Sequence, residues 1–213
     1  MTQRSGPRDA VTDGRAPGPA ADGQAAGDQA ADGHATDGHT TDRHTAVEHL
    51  ATPQRRRSYA WQDPAIVAAA APTMAGIDFF RAIADGTLPA PPITQTLGFT
   101  VTDVEPGRVV FEITPAEFHY NPIGSVHGGV YATLCDSACG CAVHSMLPAG
   151  ARYTSQDLTV KFLRAITTST GPLRCEGTVI HLGSRTGLAQ ARLTDGQGKL
   201  YAYATSSCLI FRP

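Results

Sequence analysis

The chain has 213 residues, with 17 Lys and Arg against 19 Asp and Glu and a formal net charge of −2. This length suits one domain with a tail, or two small domains, and the near-neutral balance gives no electrostatic basis for a nucleic-acid partner. The opening MTQRSGPRDAV has no apolar signal core, no apolar run is long enough to span a membrane, and the five cysteines are an odd number. A cytoplasmic protein with reduced thiols and no membrane partner is the expectation.

Residues 1–57 are expected to form a disordered, low-complexity tail, because large apolar side chains are nearly absent. From Ala21 an imperfect five-residue pattern sets His34, His39, His44 and His49 at equal spacing. His-rich tracts can chelate metals, but this composition reads first as an unstructured repeat. Arg55-Arg56-Arg57 reads as a solvated linker. A helical lead-in, 58–92, follows. In it Gly76 to Ala84 predicts an amphipathic helix with Ile77, Phe80 and Ile83 on one face. Gly86 suits its end, and Pro89, Pro91 and Pro92 stop its continuation. Leu97–Val104 and Arg108–Thr114 then read as strands joined at Pro106-Gly107, with Val109, Phe111 and Ile113 alternating against Glu112.

Between Glu117 and Arg152 the only Asp, Glu, Lys or Arg is Asp136. It stands in VHGGVYATLCDSACGCAVHSML, which predicts a buried helix ending near Pro148-Ala149-Gly150. Four strand-like runs follow: Leu158–Phe162, Gly171–His181, Thr186–Leu193 and Leu200–Phe211, with turns at Gly183-Ser184-Arg185 and Asp195-Gly196-Gln197-Gly198. The order of elements predicts an α+β fold over 93–213, one long central helix wrapped by a curved antiparallel sheet.

A lone carboxylate among apolar residues is costly to bury without compensation. The same helix opens on His127-Gly128-Gly129, and free N–H groups at a helix start stabilise developing negative charge. Together they make a candidate active site. Asp136 could act as general base or nucleophile, or be satisfied locally by Thr133 or Ser137. Gly128 could supply an oxyanion donor or simply a turn. Cys135, Cys139 and Cys141 crowd together, but the spacing lacks a partner pair for zinc, and free Cys is a common core residue. A Cys135 nucleophile working with His127 or His144 is the alternative. Tyr131, Met146 and Leu147 could line an acyl pocket.

The run His119-Tyr120-Asn121-Pro122-Ile123-Gly124-Ser125-Val126-His127-Gly128-Gly129, followed by Asp136, resembles the PaaI-type hotdog-fold thioesterases, as does Gln156–Arg164. The resemblance implies a hotdog fold and hydrolysis of an acyl-CoA thioester, with no metal or redox cofactor. It implies Asp136, Asn121, His127 and Gly128 as catalytic residues: Asn121 orienting water or substrate, or serving as an Asx-turn residue, and His127 bonding the substrate or holding the loop. Gly129, Ser155, Arg164 and Arg185 would contact substrate, the two arginines through the CoA phosphates, or stand as solvated surface charges. It also implies a homodimer or homotetramer whose active site draws Asn121 and the HGG run from one chain and Asp136 from another. A hydratase or dehydratase on the same fold, or an acyl-CoA-binding protein without catalysis, are the alternatives.

Overall fold

The structure is a computed structural model that describes residues 53–213. The pentad histidines lie outside the described residues, as does the expected disorder of the tail up to residue 52.

Three α-helices precede the sheet, two within the lead-in and a third that begins at its end. The first, α1 (Pro64–Ala70), was not legible in the sequence; Asp63 caps it by accepting from the Ala65 N–H at 2.9 Å, with Pro64 at the first position. The second, α2 (Gly76–Ala84), matches its expected bounds. The third, α3 (Pro92–Leu97), corrects the reading of the prolines and of Leu97 as a strand start. Pro92 does bar continuation of α2, but its fixed φ suits the first turn of a new helix. Gly98, at φ +70°, ends α3 in the left-handed region.

Arg57 is not a solvated linker residue. Its guanidinium donates to the carbonyls of Gln95 and Thr96 at the end of α3 and stacks 3.9 Å from the Phe118 ring centroid. Arg55 pairs with Glu117. A cation near the last carbonyls of a helix is favourable, and a flat guanidinium covers an exposed ring well. A chain beginning at Gln54 is therefore expected to keep full stability. Starting instead at Ser58 should cost about 1 kcal/mol, or roughly 2–4 °C in Tm. Equal melting temperatures for the two truncations would refute this role for Arg57.

Next come β1 (Phe99–Glu105) and β2 (Arg108–Ile113), joined at Gly107 with φ +80°. The central helix α4 (Gly128–His144) follows, ending one turn before the expected stop. The expected strand Leu158–Phe162 is β4 (Thr159–Phe162), and a further short strand that the sequence reading lacks, β3 (Arg152–Ser155), precedes it. Asp157 separates them: its carboxylate accepts from the Ser207 N–H at 2.9 Å and its carbonyl from the Ser206 hydroxyl at 2.7 Å. The last three strands are β5 (Leu173–Leu182), β6 (Thr186–Asp195) and β7 (Leu200–Phe211). All pairings are antiparallel in the order β1-β2-β5-β6-β7-β3, with β4 also on β7. Register shifts in β1, β5 and β7 mark bulges, which bend the sheet around α4. This is the expected helix wrapped by a curved antiparallel sheet.

Two glycines let α4 sit against the sheet. A Cβ on Gly177 of β5 would lie 2.1 Å from the Ala138 carbonyl oxygen, and one on Gly187 of β6 2.9 Å from Val143. Leu134, Cys135, Ala138, Cys139, Ala142 and Val143 fill the seam at 1 % exposure or less. Among the described residues no helix is long and apolar enough to cross a membrane.

Two buried histidines give the fold a pH dependence. His119 accepts the Ala116 N–H on Nδ1 at 3.0 Å and donates from Nε2 to the Leu97 carbonyl at 2.7 Å, an arrangement only a neutral ring can make. Burial, with the Arg57 charge adding to it, lowers the His119 pKa despite the Leu97 bond. His144, packed against Phe79, Phe80 and Tyr153, is lowered by burial. Above the unfolded histidine value of about 6.5 both states are neutral and this stability is fully present; below it the unfolded chain binds protons the folded chain cannot, so stability falls. Tm should therefore drop between about pH 7.5 and about pH 5.5, and His119→Gln, whose amide can keep both bonds without titrating, should flatten part of the slope. A Tm independent of pH across that range would contradict the neutral assignment.

Candidate active site

The loop before α4 is built by its own side chains. Asn121 Oδ1 accepts from the Ile123 and Ser125 N–H groups at 3.0 and 3.2 Å, and Nδ2 donates to Ser125 Oγ at 3.1 Å. Gly124, at φ +82°, completes the turn. Asn121 thus forms an Asx-turn, leaving one amide hydrogen free. The Val126 N–H donates to the Ile166 carbonyl and the His127 N–H to the His119 carbonyl, which aims the chain into the helix.

His127 is the N-cap: its Nδ1 accepts from the Gly129 N–H at 2.8 Å. The ring therefore carries its proton on Nε2 when neutral, and Gly129 is used in capping rather than left free. The Gly128 N–H has no partner among the described residues. It opens onto a depression of about 350 Å³ lined by Asn121, Ser125, Tyr131, Phe162 and Arg164. Arg164 donates to the Leu200 carbonyl and stands exposed at this rim. The sequence did not single out Phe162, whose ring would lie 3.2 Å from a Cβ on Gly128. Its signal was an aromatic residue following Lys161 on an edge strand with little other packing. Tyr131 ties the helix start to this rim, accepting from the Ile166 N–H at 2.9 Å and donating to the Arg164 carbonyl at 3.3 Å.

Asp136 requires a correction. The sequence placed it in a helix buried nearly all round, but its own chain leaves it partly exposed. Gly129, Ala132, Thr133, Asp136 and Ser137 form a strip of α4 that the sheet does not cover. A single sheet covers only one side of a helix, and small side chains on the other side imitate a core pattern. The local hydroxyls do not satisfy the carboxylate either: Thr133 donates to the Gly129 carbonyl, and Ser155 Oγ from β3 reaches Asp136 Oδ1 at 2.9 Å. Asp136 and Ser155 share an open depression of about 410 Å³ with Gln156 and Asp157. Among the described residues, no Lys, Arg or His forms an ion pair with Asp136.

Asp136 and Ser155 therefore come together, and Gly128, Asn121 and Arg164 come together, but the two groups are separate. Eight residues along α4 put Gly128 and Asp136 about 12 Å apart, too far to serve one carbonyl carbon. Arg185 joins neither group; it lies in the β5–β6 turn beside Gly187, which packs on Val143 near the opposite end of α4. Tyr131, Met146 and Leu147 line no common pocket: Tyr131 is at the start of α4, while Met146 and Leu147 follow its end. Four of the five cysteines are core residues, and Cys141 is half-buried beside them. Cys135, Cys139, Cys175 and Cys208 are buried, and burial with the nearby Asp136 charge pushes the Cys141 thiol up to about 12, which keeps it protonated at neutral pH.

The thioesterase superfamily model matches residues 123–202. A Halobacterium salinarum protein whose name proposes an esterase is 34% identical over 127 residues, covering 54% of this chain and 82% of that protein. A Saccharolobus solfataricus protein named in the same way is 32% identical over 135 residues, covering 63% and 94%. The 1,4-dihydroxy-2-naphthoyl-CoA hydrolase of Listeria monocytogenes is 24% identical, covering 55% and 93%. Among solved structures, a phenylacetic acid degradation-related protein of Ralstonia eutropha aligns with TM-score 0.56 and 27% identity, covering 61% of this chain and 98% of that one. The E. coli PaaI protein aligns with TM-score 0.56 and 23% identity, covering 65% and 96%. The chain belongs to the hotdog-fold thioesterase superfamily, a family of thioester hydrolases. PaaI-type proteins are among its structural neighbours.

Proposed function

We propose that the protein hydrolyses an acyl-CoA thioester at a site shared between two copies of the chain. The observation that supports this most is the separation on α4. A free Gly128 N–H and an unpaired Asp136 carboxylate both lie outside the sheet's cover, too far apart to act together within one chain. In this reading one copy holds the thioester carbonyl on the Gly128 N–H. Asp136 of the second copy, oriented by Ser155, either takes a proton from the attacking water or attacks the carbonyl carbon itself. Negative charge develops on the carbonyl oxygen and is met by a fixed N–H dipole at a helix start. The C–S bond then breaks and the CoA thiolate leaves: in the base route it takes up the proton that Asp136 removed from water, and in the nucleophile route water hydrolyses the mixed anhydride on Asp136, releasing the acid and supplying that proton. Arg164, exposed beside Gly128, would meet a phosphate of CoA. The name of the Listeria relative supports a CoA thioester as substrate.

The open edge supports the second copy. β3 and β4 each pair only with β7 and are exposed over most of their length, and Phe162 and Leu163 stand 57% and 48% exposed. An edge with apolar side chains is one that a protein covers.

Subunit complementation tests the shared site. Asp136→Asn and a Gly128→Val variant should each be nearly inactive alone as assemblies of one kind. After mixing, unfolding and refolding together, assemblies holding one of each contain one intact site and should recover a substantial part of wild-type turnover. A monomer by light scattering that turns over acyl-CoA, or no recovery despite proven mixed assemblies, would end the shared-site reading.

A further inference from the structure

A separate cavity of about 190 Å³ lies between the lead-in helices and the sheet. Phe80 and Ile83 of α2, Ala90 before α3, and Phe99, Val101 and Phe111 of β1 and β2 form most of its wall. On the side of α4 it is closed by Ser137 and Cys141. Ser137 directly follows Asp136 on α4, so this end of the cavity lies one helix position from the residue to which the proposed chemistry is assigned.

Resting on that reading of Asp136, we infer that this cavity takes the acyl group of the thioester, and that the group is uncharged and about the bulk of one aromatic ring. The lining carries the argument. No Asp, Glu, Lys, Arg or His lines the cavity, and the Thr94 hydroxyl is already used on the Pro91 carbonyl at 2.7 Å. Among the described residues no buried side-chain nitrogen or oxygen lacks a partner. A carboxylated acyl group would therefore lose the hydration of its charge with no cation in exchange. Size sets the other limit. An apolar cavity of roughly 150 Å³ holds a benzene molecule, so this one admits a single ring or a short alkyl chain of similar bulk, and excludes two fused rings or a long fatty chain. Three phenylalanines, with Phe99 and Phe111 edge to face at 5.6 Å, offer ring faces and edges to such a group. The lead-in helices thus decide which thioester is taken, while α4 carries the chemistry.

The test uses the full chain and two separate readouts. Turnover is followed by thiol release on phenylacetyl-CoA, hexanoyl-CoA, succinyl-CoA, palmitoyl-CoA and 1,4-dihydroxy-2-naphthoyl-CoA. Binding is followed by calorimetry with S-benzyl-CoA, a thioether that cannot be hydrolysed, against free CoA. Phenylacetyl-CoA or hexanoyl-CoA should lead in kcat/KM, the choice between them distinguishing ring from chain. S-benzyl-CoA should bind about tenfold tighter than CoA or better, from burial of its ring. Ala90→Phe fills the cavity and should abolish that increment and lower kcat/KM on the leading substrate about tenfold or more. Ile93→Ala, on the exposed wall, should move preference toward bulkier groups, so the inference does not depend on one variant folding. If the wild type hydrolyses acyl-CoA but neither variant changes preference or thioether binding, the cavity is not the acyl site and the hydrolase reading stands. If S-benzyl-CoA binds in the cavity-dependent way but no thioester is cleaved, the hydrolase reading fails and the cavity assignment stands. Preference for succinyl-CoA or palmitoyl-CoA would overturn the inference.

Discussion

Asp136→Asn is expected to lower kcat by about two to four orders of magnitude if the carboxylate is a general base, and at least as much if it is the nucleophile. The change keeps the side-chain shape and can still accept from Ser155 Oγ. KM should change little, because contacts to the CoA moiety lie elsewhere, so the loss should appear in kcat and kcat/KM together. Ser155→Ala should show a smaller loss in kcat, since it removes the 2.9 Å bond that orients the carboxylate without removing the carboxylate. Steady-state kinetics on the leading substrate, with melting curves to show each variant folded, decides the matter. A folded Asp136→Asn protein turning over near the wild-type rate would remove Asp136 from the mechanism. The Cys141 thiol, held up to about 12, would not be a ready substitute.

Gly177→Ala is expected to be the most damaging small substitution in the sheet. The added methyl carbon would sit 2.1 Å from the Ala138 carbonyl oxygen and 2.3 Å from its carbon, both backbone atoms of α4 that cannot rotate away. Helix and strand must separate, opening the seam that Leu134, Cys135, Ala138 and Cys139 fill. Overpacking of this kind costs about 3 kcal/mol or more, which for a domain of this size is a fall in Tm of roughly 6–12 °C. Gly196→Ala is the control, because a Cβ there meets nothing within 4 Å and its φ is not in the left-handed region; it should leave Tm unchanged or slightly raised. Similar melting curves for the two variants would show that α4 is not seated on β5 at this point.

The sequence was most informative where pattern alone sets structure. The alternation in β2, the apolar face of α2 and the glycines at Gly107 and Gly198 marked their elements from local chemistry. The N–H groups at a helix start and the carboxylate on that helix are a chemical pairing visible in one dimension, and the run from His119 to Gly129 with Asp136 carries the resemblance to the family. α1 and α3 escaped notice because each is short, and α3 is announced by prolines that also end α2. β3 is not legible either: it is four residues long, and it is set off from β4 by Asp157 bonding the backbone of β7, far away in the chain.

The site itself was legible as residue types but not as an arrangement. Small, uncharged residues on α4 look the same in sequence whether a sheet covers them or not, so the exposure of Asp136 emerged only once the sheet was seen to wrap one side. The bond from Ser155 joins residues on a strand and a helix, and the packing of Phe162 against Gly128 does likewise; no local periodicity encodes either contact. The same is true of the cavity beneath α2 and α3, whose walls come from the lead-in, two strands and the central helix. Sequence alone determined the helix, where it starts and its lone charge, because hydrogen bonding and hydrophobic patterning act over a few residues. Tertiary structure decided what faces that charge and how large a group fits beside it, because packing brings together side chains that the chain holds far apart.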